Sequence, residues 1–353
     1  MKIYLARILF GDREMEVKLN RSLSPALFFL ILILFWGCTK KEEVIRVGSS
    51  PTASSSGVFL AYENGHFRDL GLNVEITNFQ NSGAPMTVLL ANGQLDVGAG
   101  NITSGLWESL VQGLDIRIVA DKGSLSEQTP YLGLIVRSDH IENGFSELSE
   151  LNGFKMGLTS LAGVSQQILA DRFLQKGGLS MDDVEFIRMS YGEMNVALRQ
   201  GLIDATIQLE PHLTRAVEEG FAHLFAYGTD VYPDQQSAAL FYSGDFYRDT
   251  EKATKFMIAY LKGVRDYYNA FFNDIRKEET IAALKKHVNI DDDEIWKKMI
   301  PSGINVNGFL NISSLESDLD WYVTNNFISS RPEVARFVDH SFVEAALKAL
   351  GEK

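Results

Sequence analysis

The chain has one cysteine, Cys38, among 353 residues, which rules out an intramolecular disulfide framework and any site built from several thiolates. It has no apolar run long enough to cross a bilayer. The longest, ALFFLILILFWG at 26–37, stops well short of the roughly 20 residues that a ~30 Å hydrocarbon core requires. Positive charge is in deficit: 33 Lys and Arg against 46 Asp and Glu give a net charge of -13, and no basic stripe interleaves with aromatics. Nucleic acid is therefore not an expected partner. The six histidines, His66, His140, His212, His223, His287 and His340, have no metal-ligand spacing, and no G-x-S-x-G, P-loop or H-E-x-x-H stretch occurs. The expectation is no catalytic residue, no metal and no cofactor. What remains is ordinary for a globular protein: 45% apolar and 22% charged residues, with a mean hydropathy of -0.04 that excludes a multi-span membrane protein.

The apolar run has a clear context. Lys18 and Arg21 precede it, Gly37 stands directly before Cys38, and the polar TKKEE of 39–43 follows. That order resembles a bacterial lipoprotein signal, in which the cysteine is acylated and becomes the new N-terminus, although Phe35 and Trp36 replace the usual Leu and small residue. Asp12 and Glu14 put negative charge where a signal should be basic, so Met15 is a plausible start. We expect a signal peptide over 1–37, lipidation at Cys38 and a tether over 38–43. The mature protein would then sit in the cell envelope, anchored to a membrane by acyl chains and facing the periplasm or exterior.

Beyond the tether, short β-branched runs alternate with amphipathic stretches. Strands are expected at 45–49, 73–79, 96–98 and 115–120, with helices at 57–64, 84–92 and 104–112. A lone strand at 131–137 opens a second set: strands at 155–159, 184–189 and 205–209, with helices at 164–176, 195–200 and 213–219. After another strand at 237–243 the texture is helical to the end. Alternation of this kind predicts α/β lobes with parallel sheets, joined by crossing strands around a cleft. Ligands in such sheets bind beyond the carboxyl ends of strands. The loops at those ends are 49–56, 98–104, 121–130, 160–165, 190–193 and 208–211, and Lys122 is their only Lys or Arg.

Several segments in order, HFRDLGLNVEI (66–76), SGAPMTVLLANGQLDVGAGN (82–101), GLDIRIVAD (113–121), LSELNGFKMGL (148–158), GLSMDDVEFI (178–187), ALRQGLIDA (197–205) and Glu210-Pro211, resemble solute-binding proteins of bacterial ABC importers for alkanesulfonates, taurine, nitrate and thiamine precursors. The resemblance covers most of 44–243. It implies a two-lobed type II periplasmic-binding-protein fold with a helical C-terminal part, lobe I being 44–136 with 235–353 and lobe II 137–234. It also implies a small-molecule ligand, permease and ATPase partners, and action as a monomer. One enzyme branch of this superfamily, which makes the thiamine pyrimidine, carries a cysteine-rich motif. This chain has no cysteine after Cys38, which sets that branch aside.

Candidate ligand contacts follow from the loops. Ser54, Ser55 and Ser56 are hydroxyls for a polar ligand group, or a solvated turn. Asn101, Thr103 and Ser104 are ligand contacts, or helix caps. Trp107 is either pocket wall or core. Ser160, Gly163 and Ser165 lead into a helix whose N-terminal amides suit an anion or a ring carbonyl. Tyr131, Tyr191, Glu193 and Tyr242, with Gln235 and Gln236, lie near the lobe crossings or strand ends, and Glu210 can meet a donor from ligand or opposite lobe. Hydroxyls, amides and aromatics outnumber cations in these loops, which favours a heteroaromatic vitamin-type solute such as a flavin or thiamine-related pyrimidine. An alkanesulfonate or other small organic anion is the alternative, as is a solute-sensing lipoprotein acting with a receptor.

Overall fold

The computed structural model describes residues 43–79 and 84–353; the signal peptide expected over 1–37 and the lipidation expected at Cys38 lie outside the described residues. In the first lobe, β1 (Val44–Ser49), β2 (Asn73–Asn78) and β3 (Val97–Asn101) run parallel, joined through α1 (Ser56–Glu63), α2 (His66–Asp69) and α3 (Ala84–Ala91). After α4 (Ser104–Val111), β4 (Ile116–Ser124) ends the first pass through this lobe. The second lobe holds β5 (Leu132–Arg137), α5 (Ser138–Glu142), β6 (Lys155–Leu158), α6 (Ser165–Lys176), β7 (Glu185–Arg188), α7 (Tyr191–Arg199), β8 (Ala205–Leu209), α8 (His212–Glu218) and β9 (Ala222–Tyr227). The chain returns through β10 (Gln236–Ser243) to α9 (Gly244–Arg248), α10 (Thr250–Asn273), α11 (Lys277–Lys285), α12 (Asp293–Lys298), α13 (Ile312–Thr324) and α14 (Ser341–Leu350).

The sheet orders are β2-β1-β3-β10-β4 and β7-β6-β8-β5-β9. Both sheets are mixed, where the alternating sequence pattern predicts parallel ones. The reason is the same in each: the antiparallel strand, β10 or β5, is the one by which the chain has just arrived from the other lobe. It enters from the hinge end, opposite to strands fed by crossover helices. Because β5 pairs with β8 and β9, the first crossing lies at 125–131, ahead of the 136/137 boundary expected from sequence. The strand β9 and the one-turn helix α5 escaped the sequence reading; most β9 side chains are only partly buried, so it lacks an alternating signal.

The two crossings lie side by side. Leu125 N donates to Gln235 O at 2.8 Å, and the Tyr131 hydroxyl reaches Ser237 Oγ at 2.7 Å. The 24-residue α10 buries Phe256, Met257, Tyr260, Leu261, Val264 and Tyr267, a three-and-four spacing that presents one apolar face. It crosses α1 closely at Gly263, where a Cβ would lie 2.2 Å from Gly57 O, so only glycine fits. That crossing fixes the start of α1 and hence the 50–54 loop before it. The helical tail does not belong wholly to the first lobe as expected. α13 docks on the second, where Trp321 Nε1 donates to Asp171 at 2.6 Å and Tyr232 of the second crossing donates to Asp318 at 2.7 Å.

Candidate ligand-binding cleft

The carboxyl ends of the strands converge on a cavity of about 170 Å³ between the lobes. The first lobe supplies Ser50, Pro51, Thr52 and Ser54 after β1, Asn101 at the end of β3, and Ser237 and Ala238 from β10. Facing them are Thr159, Ser165 and Gln166 around the start of α6, and Ser190, Tyr191, Asn195 and His212 around α7 and α8. Tyr131 and Leu132, at the crossing, close one side. Ser237 Oγ donates to Gly123 O at 2.9 Å and so accepts the Tyr131 hydroxyl proton, while burial pushes that phenol well above its ordinary pKa and keeps it a donor.

The lobes touch along one lip of this cavity. Ser104 N donates to Gly163 O at 2.8 Å and Ser104 Oγ to Ala162 O at 2.7 Å, with Thr103 and Val164 paired as a bridge. Ser165 Oγ donates to Ser237 O at 3.1 Å, and Gln235 Nε2 to Ser165 O at 2.9 Å. Gly163 has φ of 63°, and a Cβ there would stand 2.7 Å from Ser104 Oγ. Gly163→Ala therefore meets both left-handed strain and a clash, together about 1–3 kcal/mol against the touching lip. We expect roughly tenfold or greater loss of affinity for any cleft ligand by calorimetry, with the second lobe still folded; unchanged affinity would show that the lip contact plays no part in capture.

A capping box sets the face of α7. Ser190 Oγ accepts from Glu193 N, and Glu193 Oε2 accepts from Ser190 N at 2.6 Å, so the helix starts at Tyr191. Tyr191, Asn195 and Arg199, spaced by four, then line the cavity together. The Tyr191 hydroxyl meets Asn101 of the opposite lobe and Thr159; its pKa is pushed up to about 12 by burial, against those two hydrogen bonds. Tyr191 also stacks on His212, ring centroids 6.3 Å apart and planes 18° from parallel. Burial, helped by the nearby Arg215, pushes His212 down to about 4, so the imidazole is neutral at physiological pH. Asn195 is fixed by His212 O and by Gln208 Nε2, at 2.9 and 2.8 Å.

Two ionisable groups lie outside the cavity lining, Lys122 in the first lobe and Glu210 in the second. The buried Lys122 Nζ donates to Ser54 Oγ at 3.0 Å and reaches Thr52 Oγ1 at 3.5 Å, and burial pushes it down to about 7 against the pull of Asp121. The Asp121 carboxylate is engaged elsewhere, by Gly123 N, Ser124, Gln236 and Asn305 N. Glu210 accepts from Thr214 N and Oγ1 and from Ile300 N, yet burial pushes its carboxyl up to about 7. The folded chain thus holds this proton more tightly than the unfolded one. Its stabilising effect is present below the ordinary value of 4.5, declines as pH rises to about 7 and is flat above. Glu210→Gln removes that slope, so melting curves from pH 4.5 to 7.5 should show the variant gaining on the wild type by about 1–3 kcal/mol. A gap that does not change with pH would contradict this.

Of the residues singled out from sequence, the cavity brings together Ser54, Asn101, Tyr131, Ser165 and Tyr191. The others lie outside its lining. Ser55 and Ser56 turn back on their own loop, donating to Ser50 O and Ala53 O. Thr103 caps α4 by accepting from Leu106 N, and Ser104 and Gly163 form the lip. Ser160 accepts from Ala162 N within its own loop, and Glu193 is an exposed cap. Glu210 holds the loop around its own helix start. Trp107 and Tyr242 are fully buried core, Trp107 edge-on to Phe337 and Tyr242 donating to Ala253 O. Gln235 and Gln236 brace the crossing. Sequence reading missed Thr159, Gln166, Asn195, His212, Arg199 and Arg215; Asn195, Arg199 and Arg215 lie one or two turns inside helices rather than in loops.

Two mixed α/β lobes, each completed by a strand from a crossing and enclosing a cavity at their strand ends, define the type II periplasmic-binding-protein fold. The chain belongs to the NMT1/THI5-like family, whose profile matches residues 52–270. A Brucella abortus (strain 2308) protein named "Putative binding protein BAB2_1146" is 26% identical over 153 residues, 42% of this chain and 46% of that relative, so the match spans less than half of the curated relative's length. Among solved structures, the nitrate-binding protein NrtA from Synechocystis PCC 6803 superposes with a TM-score of 0.75 at 14% identity, covering 88% of this chain and 90% of that one. The alkanesulfonate-binding protein SsuA from Xanthomonas axonopodis pv. citri, bound to MOPS, gives 0.68 at 17% identity, over 84% and 98%. The fold also carries an enzyme: the desulfurization enzyme DSZB gives 0.61 at 14% identity, over 87% and 99%. At these identities the likeness establishes the fold.

Proposed function

We propose that this chain is the solute-binding component of an ABC importer, held at the cell envelope by acyl chains on Cys38, and that it captures a small organic solute for delivery to permease and ATPase subunits. The observation that carries this reading is the cavity formed jointly by two lobes that meet at a lip. Such a geometry binds and releases by hinging at 125–131 and 228–235, with the two sheets as the moving bodies. The cleft is read as a binding site and not a catalytic one: among the described residues the His212 ring has no carboxylate or hydroxyl hydrogen-bond partner, and no cysteine follows Cys38.

For the solute we favour a heteroaromatic compound of one substituted ring. The stacked Tyr191 and neutral His212 offer a flat wall, and Asn101, Thr159, Asn195 and Ser237 offer donors and acceptors without full charge. The cavity of about 170 Å³ admits a single substituted ring such as a pyrimidine or pyridine. The second reading, a small organic anion, is favoured by Lys122 standing behind Ser54 and Thr52. A thermal-shift screen of single-ring heterocycles, flavins and alkanesulfonates separates them. At a hundredfold excess over its Kd the true ligand stabilises the fold by about 2.7 kcal/mol. Stabilisation by sulfonates alone would replace the first reading with the second, and turnover of a bound compound would overturn both.

A further inference from the structure

Two arginines are among the residues that line the cavity, Arg199 in the last turn of α7 and Arg215 one turn into α8, and with Asn289 they are its exposed side. They share one carboxylate. Arg215 Nε donates to Glu219 Oε1 at 2.7 Å, and Arg199 pairs with Glu219 Oε2 while lying over the Phe221 ring at 4.7 Å. The next acid on this helix, Glu218, is taken by Lys298. Two positive charges against one negative leave a net cation at the cavity mouth, in a chain whose total charge is -13. Its field reaches the interior, since Arg215 is the charge that adds to burial in holding His212 neutral. Guanidinium forks suit the paired oxygens of a carboxylate or phosphate ester, and an arginine already sharing its acceptor has donors left over.

We propose that Arg199 and Arg215 form an anion subsite for a carboxylate or phosphate ester carried by the ligand, whose ring lies against Tyr191 and His212. This inference rests on the ring reading above. It makes the solute an anionic derivative of a heterocycle, oriented with its charge toward the mouth, and it makes the rim discriminate between a ring and its charged counterpart.

Matched probes test it: uracil against orotate, nicotinamide against nicotinate, and pyridoxine against its 5′-phosphate, titrated calorimetrically into the wild type, an Arg199→Gln/Arg215→Gln variant and Glu219→Gln. In at least one pair the wild type should bind the charged member about tenfold or more tightly, an advantage that weakens with salt. The double variant should lose that advantage and keep the affinity for the uncharged member, while Glu219→Gln, which frees both forks, should enlarge it. Equal binding of the two members by the wild type, or a preference unchanged in both variants, would overturn the subsite and leave the ring reading standing. If neither member of any pair binds, the ring reading fails and this inference with it.

Discussion

Trp107→Ala should destabilise the protein by about 3–5 kcal/mol, the usual cost of emptying a buried tryptophan site. The indole is fully buried on α4, edge-on to Phe337 at 6.3 Å, within a cluster that includes Leu110, Ile116 and Ile118. It does not line the cavity, so ligand affinity of the remaining folded protein should stay within about threefold of wild type, a small fraction of the loss in stability. Its Nε1 is buried without a hydrogen-bond partner, so Trp107→Phe gives up no bond and should recover most of the stability. Denaturant melts and calorimetry on the same samples decide the matter. A Trp107→Ala protein with normal stability and lost affinity would return this residue to the pocket wall.

Tyr191→Ala should have the opposite profile, weakening a ring-bearing ligand by about 1–3 kcal/mol, or roughly five- to 150-fold, with a smaller effect on the fold. The ring is the stacked face beside His212, and its hydroxyl meets Asn101 across the cleft as well as Thr159. The substitution thus removes both a stacking surface and a contact between lobes. Tyr191→Phe separates the two: it keeps the face and loses the hydroxyl, so it should retain most of the affinity if stacking dominates. Should Phe behave like Ala, the contact between lobes, and not the ring, is what the ligand depends on.

The contrast between these two aromatics shows how far sequence reaches. Tyr191 follows an expected strand and Trp107 stands one turn into an expected helix, and nothing local says which of them faces the cleft. What separates them is the direction of a helix face. The Ser190–Glu193 capping box was readable in the sequence and fixes α7, so Tyr191, Asn195 and Arg199 could have been placed on one face together. Trp107 sits in the first turn of α4, whose inward side is set by packing against Phe337, more than 200 residues further on and invisible to local pattern. The strand and helix alternation and the loop ends were legible because period and turn chemistry are local. The antiparallel insertion of β5 and β10, and the docking of α13 on the second lobe, depend on where the hinge brings the chain, which no window of sequence contains. Lys122 was visible as a lone cation; its burial behind Ser54 and Thr52 was not. The two rim arginines lie within α7 and α8, away from the strand-end loops from which candidate contacts follow.

Capture between two hinged lobes is the central claim, and small-angle X-ray scattering tests it most directly, with and without a compound that raises the melting temperature. Binding should shrink the radius of gyration and sharpen the distance distribution as the population shifts to the state in which Ser104 meets Gly163. Asn101→Ala and Tyr191→Ala, which remove one contact between lobes, should blunt that contraction. A tight ligand that leaves the radius unchanged would contradict the account.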